Sequence, residues 1–95
     1  MNQRTFKFRL YVAGDARNSS LAISNLTAFC RQHLPDRHQV EIVDVLREPK
    51  RALLESIFMT PTLVKHVPGP VQRIVGTLSD PDIVLLALGL ETAAA

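Results

Sequence analysis

One cysteine, three histidines and nine acidic residues are the side chains from which thiol, metal or acid–base chemistry would have to be built in this chain. Cys30 and His33 stand three apart, a spacing that puts them on one face of a helix, and His38 follows. A metal ion needs three or four converging ligands, and His66 falls in a different element, so no metal site is expected. Dithiol redox chemistry needs Cys-x-x-Cys at the start of a helix, where the helix dipole lowers the nucleophile's pKa. The stretch ahead of the first long helix reads Ala16-Arg17-Asn18-Ser19 instead. Cys30 falls inside that helix, beside its apolar stripe, and reads as a small buried hydrophobe. A single cysteine also excludes an internal disulfide. No serine sits in a nucleophile-elbow pattern, and Gly14 belongs to no phosphate-cradling motif. Asp80 and Asp82 read as helix capping rather than as an acid–base pair. One chemical alternative stays open: a one-thiol redox or glutathione-using protein, which requires Cys30 to be exposed with a lowered pKa.

Composition narrows the field further. The 95 residues imply one domain, and 46% hydrophobic against 21% charged residues is a globular balance. Aromatic residues make up 5% with no Trp, so the core must be mostly Leu, Val, Ile and Ala. Net charge is +2, with 11 basic residues scattered along the chain. Nucleic-acid binding calls for a concentrated basic face and is not expected; a weakly basic surface suits an acidic protein partner. The longest apolar run, Ile83 to Leu88, is too short to cross a membrane, and the first residues carry no signal-type apolar run. These points lead to the expectation of a cytoplasmic protein with no cofactor.

The elements that must position these groups follow from periodicity. Phe6 to Ala13 alternates, with Phe6, Phe8 and Leu10 on one side and Lys7 and Arg9 on the other, then turns apolar on both faces. Ser19 to Leu34 carries an apolar stripe of Ala22, Ile23, Leu26, Phe29 and Cys30, with Asn18 or Ser19 as N-cap and Pro35 as its stop. Gln39 to Val45 reads as a strand. Pro49 opens a short helix through Ala52, Leu53 and Leu54. Thr62–Val67 and Val71–Gly76 form a hairpin about Pro68-Gly69-Pro70. Ser79-Asp80-Pro81-Asp82 starts a last helix whose expected buried face is Ile83, Leu86, Ala87 and Leu90. The predicted fold is α/β, in the order βαβαββα of a thioredoxin-like domain, with core 6–90, a disordered tail over 91–95 and strand order 2-1-3-4. That order leaves the second strand as an edge, so Val40 to Val45, including Val40 and Ile42, is a place for a partner's strand to add.

Three prolines, Pro61, Pro68 and Pro70, bracket one strand. Thr60-Pro61 occupies the place where thioredoxin-like folds put a cis-proline. X–Pro bonds have only ~0.5–1 kcal/mol of trans preference and exchange slowly, so this segment reads either as a slow structural switch or as ordinary turn chemistry.

The same segments carry a resemblance. Leu10-Tyr11-Val12-Ala13-Gly14, Val43-Asp44-Val45-Leu46 with Pro49 after it, Thr60-Pro61-Thr62-Leu63, Pro68-Gly69-Pro70-Val71, Arg73-Ile74-Val75-Gly76 and Leu78-Ser79-Asp80 resemble, in order and spacing, the motifs of the KaiB family of circadian clock proteins. The likeness runs from about Phe6 to Leu90. It implies a non-catalytic regulator that binds the ATPase ring of a KaiC-like protein, competes there with a histidine kinase and helps sequester a KaiA-like partner. It also implies metamorphism, with a tetrameric ground state in which the second half is rearranged. The sequence therefore nominates Lys50, Arg51, Lys65 and Arg73 as partner contacts, Val40 and Ile42 as a second docking edge, and Pro61, Pro68 and Pro70 as switch positions. A dimer or tetramer is an expected assembly, and a stress or signalling adaptor with another partner fits the same motifs. Departures from the family are Gly69 in place of the middle proline of its turn, Ser56 where a lysine is common, and Ala87 where glycine is common.

Overall fold

A computed structural model describes residues 4–90; the expected tail over 91–95 lies outside the described residues. The elements are β1 (Phe6–Val12), α1 (Arg17–His33), β2 (His38–Asp44), α2 (Pro49–Leu54), β3 (Thr62–Val67), β4 (Gln72–Val75) and α3 (Pro81–Ala87). The sheet order is β2-β1-β3-β4, with β2 parallel to β1 and with β3 and β4 added antiparallel. This is the α/β arrangement expected from the sequence, with β2 at one edge.

The alternation in β1 divides the core in two. Phe6, Phe8, Leu10 and Val12 point to one side, where they meet Ala22, Leu26, Phe29 and Cys30 of α1 and Val84 and Leu85 of α3. Tyr11 points to the other, against Val43, Val64, Ala52 and Ile57. Two helices cover the first face. Among the described residues the second has only α2, whose six residues span about 9 Å, too short to roof the whole sheet. Lys7 and Arg9 share a face with Tyr11 and lie beyond that cover, which is why polar residues occur in the middle of the central strand.

Three local expectations need correction. Neither Asn18 nor Ser19 caps α1: its N-cap is Ala16, with no side-chain hydrogen bond. Ser19 instead is buried inside the helix and its Oγ accepts from the Ala13 N–H at 3.0 Å, a bond that ties the helix to the end of β1. The last helix stops at Ala87 rather than continuing to Leu90. Gly89 takes φ +74°, and the amides of Gly89 and Leu90 return to the carbonyls of Leu86 and Leu85, the hydrogen-bond pattern that ends helices at a left-handed residue. The buried face of α3 is Val84, Leu85 and Leu88, while Ile83 and Leu86 are 58% and 73% exposed. A helix apolar all round gives periodicity no phase to detect; the docking of α3 against β4 and α1 sets it.

Candidate docking site

The thiol comes first, because its place decides whether the scaffold can do redox chemistry. Cys30 is 1% exposed in the α1 core, and burial pushes its thiol up to about 11. A reactive thiol requires access and a depressed pKa; Cys30 has neither. The one-thiol alternative is thereby set aside. Among the described residues no three His, Cys, Asp or Glu side chains converge to hold a metal ion, and no helix is long and apolar enough to cross a membrane.

The nominated basic residues separate into distinct roles. Lys65 does not face solvent: it is 3% exposed, with Nζ donating to the Leu88 carbonyl at 3.4 Å and lying 5.9 Å from the Phe6 ring centroid. Strand alternation puts it on the α3 side of β3, and desolvation lowers its pKa below the usual lysine value. A contact role for Lys65 in this arrangement is corrected to an anchor beneath α3. Arg51 pairs with Glu41 at 2.8 Å and Glu48 at 3.3 Å. Arg73 donates to the carbonyl of Ser56 at 3.0 Å and to that of Glu55. Lys50 stays exposed. At the sheet edge Val40 and Ile42 are 38% and 43% exposed, and grooves of about 310 and 390 Å³ flank the strand, with Val40 lining both.

The proline-bracketed hairpin has three cis peptide bonds, Thr60–Pro61, Val67–Pro68 and Gly69–Pro70. The Pro61 carbonyl accepts from the Gly76 N–H at 2.9 Å, which fixes where β4 ends against β3.

A charged network missed in the sequence holds α2 to the sheet. Glu41 of β2 bridges Arg51 and Arg9 at 2.8 and 2.9 Å, and these bonds, Arg51's first, hold its carboxyl near 2. Glu55 Oε1 accepts from Arg9 at 3.0 Å and from the Tyr11 hydroxyl at 3.1 Å. His66 Nε2 stands 3.3 Å from the same oxygen but out of line for a hydrogen bond. Burial, before any other cause, raises the Tyr11 phenol above its ordinary pKa. Register was the signal available in advance: Arg9 lies directly opposite Glu41 in the parallel pair, where opposite charges attract.

Immediately after α2 the chain closes on itself. Ser56 takes φ +57°, its amide returns to Leu53 O at 3.1 Å, and the Ile57 amide returns to Ala52 O at 2.8 Å. Ala52 and Ile57 pack together in the second core, the apolar contact that accompanies this motif. Inward placement of those two turns their neighbours outward: Leu53, Leu54, Phe58 and Met59 are 71%, 87%, 85% and 63% exposed. A helix of six residues cannot bury Leu53 and Leu54 as well as Ala52, a limit its length would have revealed.

These features define a class of protein: a thioredoxin-like domain whose reactive position lacks a thiol and whose unusual features are exposed surfaces. Comparison with known proteins gives the family. The KaiB domain matches residues 9–90. A circadian clock protein KaiB3 from Synechocystis sp. is 43% identical over 90 residues, covering 95% of this chain and 88% of the relative. A circadian clock oscillator protein KaiB from Prochlorococcus marinus is 39% identical over 88 residues, covering 93% and 84%. The chain belongs to the KaiB family of circadian clock proteins, which supports a clock-regulatory role. Among solved structures, the N-terminal domain of Synechococcus elongatus SasA superimposes with a TM-score of 0.74 at 16% identity, over 100% of this chain and 93% of that one. Mitochondrial thioredoxin 3 from Saccharomyces cerevisiae gives 0.72 at 18% identity, over 93% and 81%. At such identities these two likenesses speak to the fold alone.

Proposed function

We propose that this chain is a non-enzymatic regulator that docks on a KaiC-like ring ATPase in the cytoplasm and modulates its phosphorylation or signalling cycle. The observation that carries the reading is the family match over residues 9–90 on a thioredoxin-like scaffold whose Cys30 is buried. Lys50 and Arg73 are exposed cations of the second half, and Arg51 and Arg73 shape the docking face by bonding within it. The edge of β2, through Val40 and Ile42, serves a second partner, KaiA-like or a histidine kinase, by strand addition. A second arrangement of the C-terminal half, with an oligomer of that form, belongs to this proposal. Two sets of amide resonances exchanging over minutes would support that part; one unchanged set, free and bound, would refute it.

The docking test is a pull-down of the host's KaiC-like ATPase with the tagged chain, in ATP and separately in ADP. Co-elution in at least one nucleotide state is expected. Absence of co-elution in both would overturn the reading.

A further inference from the structure

The sulfur atoms of this chain belong to Met1, Cys30 and Met59, and they differ in what an oxidant can reach. Met1 lies outside the described residues. Cys30 is sealed in the α1 core and its thiol is pushed up to about 11, so it offers neither access nor thiolate. Met59 is 63% exposed. A thioether has no proton to lose before it reacts, so access is what limits its conversion to the sulfoxide.

The backbone is pinned on both sides of Met59. Before it, Ile57 is buried and its amide returns to Ala52 O at 2.8 Å. After it, Thr62 is buried and its Oγ1 donates to the Met59 carbonyl at 2.6 Å. Phe58 and Met59 therefore form an outward bridge between two fixed points, and a change at the Met59 side chain alters the surface and leaves the core alone. That side chain lines a notch of about 220 Å³ together with Ile57, Phe58 and Val75. Arg73, the cation at the same notch, is turned to the carbonyls of Ser56 and Glu55. Methionine suits adaptable binding surfaces because it is flexible and apolar. Oxidation makes it polar and chiral, and covering such a group without a hydrogen-bond partner opposes association.

We propose that Met59 is a reversible oxidation site through which a peroxide loosens the hold of the α2 turn on a partner. The thioether sulfur attacks one peroxide oxygen, the O–O bond breaks, an S–O bond forms and, after proton transfer, water leaves. The sulfur gives up two electrons and the peroxide takes them. The return step uses a thiol-dependent methionine sulfoxide reductase: two thiols become a disulfide and the sulfoxide oxygen leaves as water. The effect on docking rests on the reading that a partner uses this turn, whereas the oxidation does not.

The test treats the purified chain with hydrogen peroxide and follows the gain of oxygen at each sulfur by peptide mass mapping. Met59 in the native chain should oxidise within about 3-fold of its rate in urea, while Cys30 should be slowed at least ~10-fold by the fold. The sulfoxide form should keep its circular dichroism and urea midpoint but leave a phenyl matrix earlier than the untreated chain. Met59→Leu should elute alike before and after peroxide, and the reductase with dithiothreitol should restore the original elution. In a pull-down of the KaiC-like ATPase, the sulfoxide form should bind about 10-fold more weakly than the untreated chain. Met59 protected 10-fold or more in the native chain, unchanged elution of the sulfoxide form, or a lowered urea midpoint would overturn the proposal. Untreated and sulfoxide forms that bind the ATPase alike would overturn this proposal alone; an untreated chain that fails to bind would overturn the docking reading and, with it, the loosened hold.

Discussion

Removing the Glu41 carboxylate, as in Glu41→Gln, should take away an acid-sensitive part of the stability. Its carboxyl is held near 2 in the folded chain by Arg51 and Arg9, against an ordinary 4.5. A gap of that size corresponds to about 3 kcal/mol if fully expressed. The side chain is 49% exposed, so solvent screening reduces the expected value to about 1 kcal/mol. The folded pKa lies below the unfolded one, so the unfolded chain binds more protons between them and stability falls with falling pH. The contribution is whole above about 4.5 and disappears as pH falls through about 2. Urea unfolding at intervals from pH 7 to pH 2 reads this out, wild type against variant. At pH 7 the variant should be about 1 kcal/mol less stable, a midpoint shift of roughly 0.5–1 M urea. The difference should shrink below pH 4.5 and close near pH 2. A gap that stays constant down to pH 2, or no gap at pH 7, would refute the argument that ion pairing across β1, β2 and α2 holds this carboxyl low.

Other expectations are more local. Ser56→Gly should stabilise the fold by about 0.5–1 kcal/mol, because Ser56 sits at φ +57°, where a side chain is strained and glycine is not; a lower urea midpoint would contradict this. Leu10→Ala, at a fully buried site in the central strand, should cost about 3–4 kcal/mol and lower the melting temperature by roughly 15–25 °C. A shift of only a few degrees would mean that the site can collapse around the cavity. Cys30, with its thiol near 11, should react with a disulfide reagent at pH 8 at least ~100-fold more slowly in the native chain than in urea; equal rates would reopen the one-thiol reading.

The sheet and its order were legible because their signals are local and repeated. Alternation in β1 announced which residues face α1, and the proline-rich turn announced the β3–β4 hairpin. The motif blocks gave the family. Helix phase was less accessible: α3 is apolar on every side, and which of Ile83 or Val84 turns inward depends on contacts with β4 and α1. Ser19 shows the same limit, since a serine near a helix start looks like a cap whether it binds its own helix or the preceding strand. Lys65 was read as a surface cation because lysine is rarely buried, and nothing in the residues around it announces the Leu88 carbonyl that receives it. The docking turn could be read in part, because a six-residue helix leaves two leucines unpacked.

The central claim is that this scaffold acts by holding other proteins. Native mass spectrometry of the chain mixed with the host's KaiC-like ATPase tests that most directly. The account predicts ring assemblies carrying one or more copies of the chain. Rings and free chains flying separately, whichever nucleotide is bound, would contradict it.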